Sequence, residues 1–122
     1  MGSMERVAVL GAGVMGAGIA AHLANAGVEC LLFDLVSDGD GGDRSAVARK
    51  GIAGALKSRP AAFFVPGFAS RITPCNYDDD AERLAGCDWI VEVVVERLDI
   101  KRKVFAWVAE HRQPGSIVSS NT

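Results

Sequence analysis

The chain has 122 residues, 49% of them apolar, which is enough for one hydrophobic core and sets one domain as the expectation. Its 13 Lys and Arg against 15 Asp and Glu leave a formal net charge of -2, which offers no footprint for nucleic acid or an anionic membrane and favours a small ligand. Three cysteines without C-x-x-C pairing, Cys30, Cys75 and Cys87, indicate neither a disulfide framework nor a metal site, and no apolar run approaches a membrane span, so a reducing, cytoplasmic setting is expected.

Met1-Gly2-Ser3 ahead of Met4 reads as a remnant of recombinant expression, leaving residues 4–122 as the domain. Arg6-Val7-Ala8-Val9-Leu10 is short, apolar and closed by glycine, as a strand buried on both faces should be. A helix is expected from Val14 to about Ala26, with Met15, Ile19 and Leu23 at four-residue steps and Gly27 placed for a left-handed cap. Glu29 to Asp34 is a second buried strand, completing a β-α-β unit. Ser37 to Asp43 is a polar, glycine-rich loop. Ser45 to Lys57 follows as a helix weakened by Gly51 and Gly54, and Pro60 and Pro66 punctuate the next stretch. A short strand over Arg71 to Pro74, a short helix over Asp80 to Leu84 and a strong strand over Asp88 to Val95 come next. Asp99 caps a helix that faces inward with Ile100, Val104, Val108 and His111 and ends at Pro114-Gly115, and Ser116 to Ser119 is the last strand. The β/α alternation predicts a Rossmann-type, doubly wound parallel sheet of about five strands with flanking helices.

The hexamer Gly11-Ala12-Gly13-Val14-Met15-Gly16 fits a G-x-G-x-x-G pattern, weak by itself in a chain with 14 glycines. Its position directly after a strand and at the opening of a helix strengthens it, because backbone N–H groups and the helix dipole then converge where a pyrophosphate binds. Gly11 permits the tight turn, Gly13 the approach of phosphate, and Gly16 close helix packing. Asp34 ends the second strand 18 residues after Gly16, near the spacing at which a carboxylate accepts hydrogen bonds from an adenosine ribose. It repels a 2′-phosphate, and neighbouring Leu35 and Val36 supply no arginine, so NAD is expected over NADP. Asp34 with the adjoining Leu35 completes this side of the cofactor set. His22 and His111 receive no catalytic role. Glu92 and Glu96 flank the C-terminal edge of the strongest strand, where ligands gather, but a solvated carboxylate accounts equally well for Glu96. Lys101, beside Arg102 and Lys103, reads first as a helix-surface charge. Trp89, Trp107 and the cysteines read as core.

Three stretches taken together, Val7 to Ala20, Asp88 to Glu96 and Ile117 to Thr122, resemble the N-terminal NAD-binding domain of the 3-hydroxyacyl-CoA dehydrogenases of fatty-acid β-oxidation. Lys57 to Pro74 is similar to large bacterial members in which a hydratase-like domain follows. The resemblance implies that Glu96 and Lys101 lie along the nicotinamide half of NAD and that Val93, an alanine more usually, lies beside the cofactor. It also implies that Ser45 to Arg59 reaches toward the CoA of the substrate, where Arg49, Lys50 and Lys57 are either phosphate partners or a solvated basic face. In the family a serine follows the Ser120-Asn121-Thr122 equivalent, and a histidine base with its orienting glutamate comes later. The reading is therefore of a domain cut before its catalytic residues, the sheet incomplete at its C-terminal end. Such a piece binds NAD without catalysing, and its parent forms a homodimer through the missing substrate domain. Two other readings stay open: a non-catalytic NAD(H)-sensing module, and a fragment of an FAD-binding oxidoreductase.

Overall fold

The computed structural model describes residues 6–39, 41–58, 61–94 and 98–120. In chain order the elements are β1 (Arg6–Leu10), α1 (Val14–Asn25), β2 (Glu29–Asp34), α2 (Ala46–Lys57), β3 (Ile72–Asn76), β4 (Trp89–Glu92), α3 (Leu98–His111) and β5 (Ile117–Ser120). Two 3-10 segments, Pro66–Arg71 and Ala81–Gly86, flank β3. The strands form one parallel sheet in the order β3-β2-β1-β4-β5, the doubly wound topology expected from the sequence.

The central strand shows why its sequence is apolar throughout. Val7 and Val9 point into one core with α1 and α2, while Ala8 and Leu10 point into another with α3 and the second 3-10 segment. Both faces are sealed, so no polar residue alternates along β1. Cys30, Cys75 and Cys87 are buried free thiols in these cores. Pro74, which cannot donate to a ladder, sits in β3 at the end of the sheet order, where a strand tolerates it.

Four expectations need correction. The buried face of α1 is not the Met15-Ile19-Leu23 stripe but the small residues Gly16, Ala17, Ala20, Ala21 and Ala24, with Ile19 and Leu23 half-buried and Met15 60% exposed. Small side chains allow the helix axis to approach the sheet, and the close approach turns the larger ones aside. The fourth strand ends at Glu92 rather than Val95, which lies outside the described residues. Its ladder stops because the Val94 N–H donates to the Glu92 side chain (2.7 Å). Asp99 is inside the first turn of α3, which starts at Leu98, and so does not cap it. The strand expected over Arg71 to Pro74 runs instead over Ile72–Asn76, and the 3-10 helix Pro66–Arg71, with Pro66 in its first turn, leads into it.

Gly27 adopts φ of 85° and ends α1 as anticipated, with the Gly27 N–H on Ala24 O (3.0 Å) and the Val28 N–H on Leu23 O (3.0 Å). Gly51, a weak residue for a helix, has a packing reason: a Cβ there would lie 2.6 Å from Ala12 O. Thus α2 presses on the loop after β1.

Burial pushes the Cys30 and Cys75 thiols up to about 12 and Cys87 up to about 11, from an ordinary 9.0. Each folded value lies above the unfolded one, so the stabilising difference is complete below pH 9.0 and is lost as pH rises through the folded values. Urea unfolding across pH is expected to show stability declining from about pH 9 upward. Replacing Cys30 with Ala should flatten part of that decline; an unchanged pH profile in this variant contradicts the assignment.

Candidate functional site

The sheet order reverses direction between β1 and β4, and the crevice outside their carboxyl ends is where an open parallel sheet receives a ligand. The loop leaving β1 builds its floor. Gly11 has φ of 110°, a conformation side chains rarely adopt, and its N–H donates to Phe33 O (2.8 Å). A Cβ on Gly16 would lie 1.7 Å from Gly11 O, so only glycine lets α1 begin this close to the loop. Around Gly13 a Cβ would meet nothing within 4 Å. Internal packing therefore does not require glycine at this position, and the space it leaves opens into the crevice.

Gly13 is the N-cap of α1, with no side-chain cap and no acidic residue in the first turn. The positive end of the helix dipole is thus uncompensated by side chains of its own first turn and faces the crevice. Val14, the first residue of α1, is 96% exposed.

Asp34 stands at the end of β2, opposite the loop. Its Oδ2 accepts the Ala12 N–H (2.7 Å) and its Oδ1 the Leu35 N–H (2.7 Å), which fixes the carboxylate at the crevice wall. A carboxylate has about four acceptor positions, so capacity remains for a ligand hydroxyl. The nearby arginines are engaged elsewhere: Arg44 Nε lies 2.7 Å from Asp79, and Arg49 Nε 2.7 Å from Asp43.

A cleft of about 590 Å³ lies above this floor, a size suited to a small-molecule ligand. Gly11, Gly13, Asp34 and Leu35 line one side, and Val93, Val94, Ile100 and Val104 the other. Its back wall holds Tyr77 and Trp107, which the sequence reading did not bring to the site. Trp107 packs against Tyr77 with ring centroids 5.0 Å apart and donates through Nε1 to Tyr77 O (3.0 Å). The Tyr77 hydroxyl is buried and has no hydrogen-bond partner among the described residues. Burial, then Asp34 and Glu92, pushes this phenol up, so it stays a donor. Buried Asn76 shapes the turn that carries Tyr77, accepting the Asp78 and Asp79 N–H groups and donating to Ser45 Oγ (3.0 Å). A lone Asn-Tyr pair carries no sequence signal of this kind; the contact appears once β3 is placed beside β2.

Lys101 is not a surface charge. Its side chain is 14% exposed and its Nζ lies 3.3 Å from Oε1 of Glu92, itself fully buried. Val93 reaches the floor directly: its O and Cγ2 lie 3.0 Å from where Cβ atoms on Gly11 and Gly16 would stand. Glu96, Asn121 and Thr122 lie outside the described residues. Lys50 lines an adjoining groove between α1 and α2 that shares Gly13 with the cleft, and His22 lines a third cavity with Ser119 and Ser120.

A glycine floor, an uncapped helix start and a fixed carboxylate, at the reversal point of a parallel sheet, define a dinucleotide-binding domain of the Rossmann type. The family model for the NAD binding domain of 3-hydroxyacyl-CoA dehydrogenase matches residues 6–122, and the chain belongs to that family. It is 48% identical to a probable 3-hydroxyacyl-CoA dehydrogenase of Bacillus subtilis (strain 168) over 98% of this chain and 17% of that protein. A protein of Deinococcus radiodurans described in the same words is 44% identical, over 98% of this chain and 34% of its own length. The crystal structure of 3-hydroxybutyryl-CoA dehydrogenase from Escherichia coli K12 superposes with a TM-score of 0.71 at 32% identity, covering 98% of this chain and 25% of that one. The chain thus spans between 17% and 34% of the length of each of these proteins.

Gly16→Ala is expected to cost about 3 kcal/mol or more in urea unfolding, because the clash is with backbone rather than a side chain able to rotate away. Near-wild-type stability in this variant contradicts the described approach of α1 to Gly11.

Proposed function

We propose that the chain holds NAD in the cleft at the carboxyl ends of β1 and β4, as the cofactor domain of an enzyme that oxidises 3-hydroxyacyl-CoA to 3-ketoacyl-CoA. The observation that carries this reading is the open space before Gly13, at the start of α1 and next to the Asp34 carboxylate. The backbone of Gly11, Ala12, Gly13, Val14, Met15 and Gly16 cradles the pyrophosphate, with Gly13 nearest. Asp34 accepts from the adenosine ribose, Leu35 and Val93 border the adenosine half, and Glu96 and Lys101 serve the nicotinamide half.

When bound, NAD supplies a hydride acceptor; the chain binds, orients and excludes water. Preference for NAD over NADP rests on Asp34, on Asp78 at the same cleft, and on the engagement of Arg44 and Arg49 by their own carboxylates. The substrate class follows from family membership and from the names its relatives carry. Oxidation of a secondary alcohol also needs a group that takes the hydroxyl proton. Neither histidine, His22 on α1 or His111 at the end of α3, lines the cleft, so the 122 residues alone are proposed to bind without turnover. Dimerisation of the whole enzyme through its substrate domain and a cytoplasmic location belong to the same proposal, the latter supported by three free buried thiols.

The reading separates binding from folding at one residue. Gly13→Ala is expected to change stability by less than about 1 kcal/mol, since its Cβ meets nothing and its φ of -68° suits any residue. It should nevertheless weaken NAD binding by about tenfold or more by calorimetric titration, as the methyl occupies phosphate space. Retained affinity overturns the assignment. Titrating the unaltered chain with NADP and FAD should give weaker binding than NAD, and preferential FAD binding contradicts the reading. Steady NADH oxidation with a 3-ketoacyl-CoA by these 122 residues contradicts the division of labour.

A further inference from the structure

Glu92 is the one fully buried carboxylate among the described residues, and it gathers donors from three directions. Its Oε2 accepts the Val94 N–H (2.7 Å), and its Oε1 accepts Ser120 Oγ (2.6 Å) and Lys101 Nζ (3.3 Å). These come from the chain leaving β4, the end of β5 and the first turns of α3. A buried ion pair is seldom more stabilising than apolar side chains of the same volume, so its presence here calls for a reason beyond stability. Its position suggests one. Glu92 pairs in register with Leu10 on β1 and Ser120 on β5, at the crevice end of the sheet, one residue before the Gly11 loop opens.

We propose that Glu92 is a positioning and charge-balancing residue for the nicotinamide end of the cofactor, acting through Lys101. This rests on the reading that NAD lies along this edge with Lys101 on its nicotinamide half. Oxidised nicotinamide carries a positive charge that the reduced ring lacks. An unbalanced ammonium beside it would oppose the oxidised form, and an unbalanced carboxylate would favour it. Glu92 fixes Lys101 between the end of β4 and α3 and cancels its charge, so that both redox states can be held. The same carboxylate holds Ser120, and with it the β5 end that leads into Asn121-Thr122.

The test is the ratio of dissociation constants for NAD⁺ and NADH, with ADP-ribose as a ligand lacking the nicotinamide. Glu92→Gln, which keeps the shape and removes the charge, should raise the NAD⁺/NADH ratio on the order of tenfold and leave ADP-ribose within about twofold. Lys101→Met should move the ratio the opposite way, and the double variant should return it near the starting value. Opposite shifts that cancel are a signature that a purely structural role does not produce. Equal losses for all three ligands, or an unchanged ratio in both single variants, overturn the proposal. If Glu92→Gln fails to fold, the sign of the Lys101→Met shift decides the matter: a lowered NAD⁺/NADH ratio supports the proposal, and an unchanged or raised one overturns it. Failure of the unaltered chain to bind ADP-ribose or NAD would instead overturn the cofactor site itself.

Discussion

The structure depends on one close approach. Helix α1 starts so near the loop after β1 that a Cβ on Gly16 would lie 1.7 Å from Gly11 O. That contact fixes three things at once: the position of the helix start, the positive φ of Gly11, and the alanine-rich face on which α1 lies against the sheet. The adjoining layers adapt to it. Gly51 lets α2 come within reach of Ala12, and Val93 closes the other side of the same loop. The loop is therefore held from within the protein at Gly11, Ala12 and Gly16 and exposed from Gly13 to Met15, with Gly13 lining the cleft.

A second organising element is the end of β4. Because Glu92 takes the Val94 N–H, the strand stops at Glu92 and Val94 leaves the ladder. Stopping there gives the cleft its wall of Val93, Val94, Ile100 and Val104. Asp34 performs a parallel task at the end of β2, where its two oxygens tie Leu35 to the Ala12 backbone. Two carboxylates at the ends of the strands on either side of β1 thus shape the site with their side chains, one buried and one at the cleft.

Much of this was legible in the sequence because the signals are local. The apolar run of β1, the glycine hexamer, the stop at Gly27 and the carboxylate ending β2 all lie within residues 6–34, and the structure has them as read. Elements whose role is set by distant partners were not legible. Lys101 sits in a run of three basic residues that looks like a solvated face, and its burial follows from Glu92 across the β4–α3 connection. Tyr77 and Asn76 join the site because β3 pairs with β2, a register that periodicity does not encode. The α1 face was misread because hydrophobic spacing gives weight to large side chains, whereas close packing selected the small ones. The extent of β4 was overestimated because a valine run carries no mark of where a side chain will capture the next backbone donor.

The central claim is that the open side of the Gly11–Gly16 loop is built for the pyrophosphate of NAD and that Asp34 reads the adjoining ribose. A co-crystal structure of this chain with NAD tests it most directly. The account predicts the pyrophosphate against the backbone at Gly13 and Val14, with an adenosine ribose hydroxyl within hydrogen-bond distance of the Asp34 carboxylate. A dinucleotide whose pyrophosphate lies away from Gly13, or one whose ribose does not reach Asp34, contradicts it.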